Sequence, residues 1–109
     1  MPHKETKKLL LIMLLFFAPL AGAQWVTGTN LKEYCFSDSS KELEGVCYGY
    51  VVGVADSLDR SLCIPPAITR GQLADIVKKF LRTHPEKLQG SATTLVSEAI
   101  QGAFPCRIR

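Results

Sequence analysis

The feature that most constrains this chain is its four cysteines, all of which follow a stretch that reads as a secretory leader. Lys4, Lys7 and Lys8 form a positive start, and Leu9 to Leu20 is an apolar run interrupted only by Pro19. Ala21-Gly22-Ala23 then supplies the small residues of a cleavage site, so cleavage is expected before Gln24. The apolar run is too short for the roughly 20 helical residues that a bilayer span needs. Gln in place of Cys at position 24 argues against a lipid anchor. Removing residues 1–23 from 109 leaves 86 residues, 24–109, enough for one small domain.

An exported domain of that size cannot build a large core, and cysteine pairs are the usual remedy. Cys35, Cys47, Cys63 and Cys106 therefore read as two disulfides, with three possible connectivities. The plainest joins Cys35 to Cys47 and Cys63 to Cys106. In the chain-entropy picture, loops of those lengths contribute about 3 and about 4 kcal/mol. A zinc site is the competing use of four cysteines. It would want short C-x-x-C or Cys/His spacing, whereas the gaps here are 11, 15 and 42 residues and the mature chain has one histidine, His84. A redox-active pair would also want C-x-x-C. The compartment implied is an oxidising one, and the bacterial periplasm is the natural expectation.

Charge narrows the partners. The whole chain carries a formal +3. Three lysines and Glu5 leave with the leader, so the mature domain carries only +1. No basic stripe remains to bind nucleic acid, and no run after Gln24 is long enough to anchor in a membrane.

The mature chain reads as an all-α domain of three or four helices stapled by disulfides. Asn30 to Phe36 is a short helix with Thr29 or Asn30 as its cap. Lys41 to Asp59 starts with helix formers and first-turn acids. Its middle, Val46-Cys-Tyr-Gly-Tyr-Val-Val-Gly-Val, has strand-favouring residues, but its length and helical start make it a buried helix. Cys63-Ile-Pro-Pro-Ala-Ile is a loop, since paired prolines break a helix. Thr69-Arg-Gly-Gln72 is a capping box. It opens a helix with Leu73, Ile76, Val77, Phe80 and Leu81 on one face, and Pro85 ends that helix. His84 to Gly90 connects to a last helix, capped by Ser91 and running to about Phe104. The apolar face of that helix is Ala92, Leu95, Val96, Ala99, Ile100 and Ala103.

Gly45, Gly49 and Gly53 lie four apart on one face of the second helix. Each costs about 1 kcal/mol of helix propensity, so close packing is expected there, either inside the chain or across a homodimer. Asp56 continues the stripe, and its bland reading is a polar contact with Arg60 or a loop amide. Catalytic residues are not apparent. His84 is the one conventional base of the mature chain, and at a helix end it reads as a capping or exposed side chain. No nucleophile motif, zinc motif or phosphate loop is present. The expectation is a binding module that needs no cofactor and no metal, not an enzyme.

The residues also carry a family likeness. Cys47-Tyr-Gly-Tyr-Val-Val-Gly-Val-Ala-Asp56, Cys63-Ile-Pro65, Gly71-Gln72, Val77, Phe80-Leu81, His84-Pro85-Glu86, Leu95-Val96, Ala99 and Phe104-Pro105-Cys106 occur in this order. The set, spanning about residues 29 to 106, resembles the Rap/Tai periplasmic immunity proteins of type VI secretion systems. The resemblance implies a small helical disulfide-bonded protein, often homodimeric, that binds and blocks a secreted peptidoglycan amidase effector. It implies that a protruding loop or helix end plugs the amidase cleft. His84, Pro85, Glu86, Lys87, Leu88 and Gln89 form the candidate, with Glu86 and Lys87 as rim charges and Leu88 as an apolar anchor. The rival expectation is a small periplasmic stress or chaperone-like protein that exposes apolar surface in acid. The absence of a His cluster counts against it.

Overall fold

A computed structural model of the chain describes residues 25–107, so the leader expected over 1–23 lies outside the described residues. Four helices follow one another: α1 (Gly28–Cys35), α2 (Lys41–Ser57), α3 (Arg70–Thr83) and α4 (Ala92–Ala103). A single 3-10 turn, Pro85–Lys87, joins α3 to α4. No strand occurs among the described residues, and the only extended pairing there is an isolated bridge between Thr27 and Ser91. The all-α expectation holds.

Each helix contributes its apolar stripe to one core. Leu31 of α1, Val51 of α2, Val77 and Leu81 of α3, and Val96 and Ile100 of α4 are completely buried. On α3 the burial of Leu73, Val77 and Leu81 follows the four-residue repeat. Ile76 and Phe80 lie at the edge of the same face, partly covered. The Tyr50 hydroxyl and the Thr93 hydroxyl, 2.9 Å apart, tie α2 to α4 at the core's rim.

Both disulfides take the plainest pairing. Cys35–Cys47 joins the end of α1 to α2, with Cα atoms 4.9 Å apart. Cys63–Cys106 joins the α2–α3 loop to the segment after α4, with Cα atoms 5.3 Å apart. The first pair is buried in the core and the second lies exposed.

Caps explain where the helices begin, and in two places they differ from expectation. The Thr69 box is present: Thr69 Oγ1 accepts the Gln72 N–H at 3.1 Å, and Gln72 Oε1 accepts the Thr69 N–H at 2.9 Å. A second box opens α1 two residues earlier than expected. Thr27, not Thr29 or Asn30, is the cap, and Asn30 reaches back from the third position to the Thr27 N–H at 3.0 Å. Asn there does the work usually given to Glu or Gln, so the box is hard to read from sequence. Ser91 sits at the cap position of α4, but its side chain makes no capping bond. The Ala92 N–H is instead taken by the Val26 carbonyl at 2.9 Å. A neighbouring backbone therefore replaces the expected side-chain cap. Ala103, expected on the apolar face of α4, is exposed because the helix ends there, past the core.

The second helix is helical as expected, yet buried on one side only. Cys47, Val51, Val54 and Ala55 face the core. Ser40 caps the helix, accepting the Leu43 N–H at 3.2 Å and donating to Glu42 Oε2 at 3.1 Å. The backbone amide of Glu42 and the Ser40 hydroxyl hold the Glu42 carboxylate below the usual carboxylate pKa.

Candidate partner-binding surface

The segment from His84 to Gly90 is a built turn held on three sides. On the α3 side, Pro85 cannot extend the helix, and His84 becomes its C-cap. The His84 ring stacks on Phe80, with centroids 4.1 Å apart. Its Nδ1 lies 2.9 Å from the Phe80 carbonyl oxygen and 3.1 Å from Thr83 Oγ1. The sequence reading of His84 as a capping residue agrees with this position. On the α4 side, Lys87 Nζ meets Glu98 Oε2 at 3.0 Å and also sits 5.7 Å from the centre of the Phe80 ring.

The third side is the N-terminal segment. The Gly28 N–H donates to the Gly90 carbonyl and the Thr29 N–H to the Leu88 carbonyl, both at 2.9 Å. Thr29 Oγ1 adds a bond to the same Leu88 oxygen at 3.2 Å. Gly28 has to be glycine for this approach. A Cβ there would stand 2.9 Å from both Cα and O of Leu88 and would collide with Leu95 Cδ1. Internally, Lys87 N–H to His84 O at 3.1 Å and Gly90 N–H to Lys87 O at 3.0 Å complete the turn.

What the turn presents is mostly polar. Pro85, Glu86, Lys87 and Gln89 are exposed. Leu88 corrects the sequence reading: it is half-buried and packs against the core cluster. It therefore does not project as a free apolar anchor. The 3-10 turn and the two long-range Thr29 bonds fix Leu88 with its carbonyl toward α1. Sequence reasoning missed the clasp by residues 26–29, because it depends on backbone groups at large separation. Asn30 and Gly28 are its faint sequence signals.

The glycine stripe of α2 also corrects an expectation. Gly45, Gly49 and Gly53 are exposed, and a Cβ built on any of them meets nothing within 4 Å. Close packing inside the chain is thus not their use among the described residues. Val46 and Tyr48, also on α2, are 48% and 39% exposed. Asp56 is exposed as well, so water solvates its carboxylate and no buried partner is required.

Among the described residues, no group of three or more His, Cys, Asp or Glu comes together as metal ligands would. No described helix is long and apolar enough to cross a membrane. The fold and the surface together define a small disulfide-stapled helical domain that offers a turn held on three sides. The family model of the Rap1a immunity proteins matches residues 27–106. The chain belongs to the Rap1a immunity protein family, whose members protect against a cognate effector. No curated protein matches the chain.

Proposed function

We propose that this protein is a periplasmic immunity protein that binds a peptidoglycan amidase delivered by type VI secretion and occludes its cleft. The observation that carries the reading is the family match over residues 27–106, nearly the whole mature domain. The two disulfides support export to an oxidising compartment. The turn at 84–90 supports occlusion, because a segment held on three sides pays little entropy on docking. Glu86 and Gln89 are the exposed polar contacts it offers to the rim of a cleft. In this reading the protein acts by binding and carries out no chemistry of its own.

The same reading gives the glycine face a role. Three glycines that cost helix stability and meet no neighbour among the described residues fit a seam between two copies, packed α2 against α2 through Gly45, Gly49 and Gly53 with Val46 and Tyr48 at its edges.

The test is a pull-down with the oxidised protein from the secreted and periplasmic fractions of its host. Recovery of one stoichiometric peptidoglycan amidase, inactive while bound, is the expected result. Recovery of many unrelated proteins, increasing at acid pH, would favour the chaperone-like alternative instead.

A further inference from the structure

The single tryptophan of the chain is not in the core. Trp25 is 93% exposed, about twice the exposure of Val46 or Tyr48, the other large apolar side chains left open among the described residues. An aromatic side chain of this kind carries about 150–250 Å² of contact area, and burying its apolar part is favourable. This chain forgoes that gain.

The backbone carrying Trp25 is nonetheless anchored. Its neighbour Val26 packs partly against the core and takes the Ala92 N–H on its carbonyl at 2.9 Å. Thr27 is bridged to Ser91, and Gly28 and Thr29 donate to the carbonyls of Gly90 and Leu88. Trp25 is therefore held one residue beyond a clasp whose other half is the end of the 84–90 turn. That turn exposes only Pro85, Glu86, Lys87 and Gln89 and turns Leu88 inward. As a binding surface it has a polar rim and lacks an apolar centre. Interface energy concentrates in a few aromatic or Arg anchors, with tryptophan prominent among them.

We propose that Trp25 is the apolar anchor of the effector-facing surface, entering an apolar pocket on the effector beside the cleft that the 84–90 turn covers. The inference rests on the immunity reading above and assigns it a contact outside the loop.

The test uses the full chain, expressed with its own leader and recovered oxidised from the periplasm. Emission from Trp25, the sole tryptophan, is expected to be that of an indole in water and fully quenched by acrylamide. Emission already shifted to the blue and shielded in the free protein would overturn the proposal, and dependence on concentration would identify a second copy as its cover. With the peptidoglycan amidase that co-purifies with the wild type, Trp25→Ala should raise Kd by at least about tenfold at unchanged melting temperature. Trp25→Phe should retain most of the affinity. Wild-type affinity in Trp25→Ala would overturn the anchor and leave the immunity reading standing. Failure of the wild type to bind any peptidoglycan amidase would remove the reading and this inference together.

Discussion

Thr29 and Leu88 are 59 residues apart in sequence, yet Thr29 gives both its backbone N–H and its hydroxyl to the Leu88 carbonyl oxygen. This pair of bonds fastens the start of the domain to the turn between α3 and α4, and Gly28 makes the approach possible. Gly28→Ala should therefore destabilise the fold by about 1–3 kcal/mol through overpacking. The clash is with backbone atoms of Leu88 that cannot rotate away. Urea denaturation reads the loss, and amide exchange should speed up at residues 84–90 before the rest of the core. An unchanged denaturation midpoint would show that the clasp contributes nothing.

The two disulfides should respond differently to a reductant. Both sulfur-bearing residues of Cys63–Cys106 are exposed, whereas Cys35 and Cys47 are buried. Mild dithiothreitol followed by thiol labelling and mass mapping should modify Cys63 and Cys106 first, with α-helical circular dichroism retained. Replacing both of that pair by serine should cost up to about 4 kcal/mol, the chain-entropy value for so long a loop. Earlier labelling of Cys35 and Cys47 would contradict the assigned burial.

Gly49→Leu separates the two faces of α2. Nothing among the described residues lies within 4 Å of a Cβ at that position, so the monomer should keep its helix content. A seam of two copies packed through the glycines has no room for the new side chain. Sedimentation velocity is expected to report a dimer for the wild type and a monomer for the variant. A variant that dimerises like the wild type would place the seam elsewhere.

The ion pair of Lys87 with Glu98 joins side chains that are 44% and 40% exposed. Glu98→Gln should therefore change unfolding free energy by less than about 1 kcal/mol, and the difference should vanish in high salt. A larger loss would mean that the pair, rather than the Thr29 clasp, positions the turn.

Much of the architecture was legible in the sequence because it rests on local signals. The repeat of Leu73, Val77 and Leu81, the Thr69–Gln72 box and the stop at Pro85 each fix part of α3 without help from elsewhere. The cysteine spacing left three pairings open, of which the plainest, Cys35–Cys47 with Cys63–Cys106, is the one found, and the 84–90 connection was marked by its proline and glycine ends. What escaped was long-range. The Thr27 cap depends on an Asn that seldom plays that part, and the α4 start depends on a carbonyl from Val26. The inward turn of Leu88 depends on Thr29. The glycine stripe is visible from its spacing, but which neighbour it meets is decided only when the helices are placed, and among the described residues it meets none.

The most direct measurement is an inhibition titration. The peptidoglycan amidase expected to co-purify under the proposed function, assayed on isolated peptidoglycan, is mixed with increasing amounts of the oxidised protein or of a Glu86→Ala/Gln89→Ala double variant. The expected result is loss of hydrolysis at one equivalent of wild-type chain, with at least about tenfold more of the variant needed, since it lacks the two exposed contacts of the turn. Full hydrolysis in the presence of saturating, bound wild-type protein would contradict occlusion of the cleft.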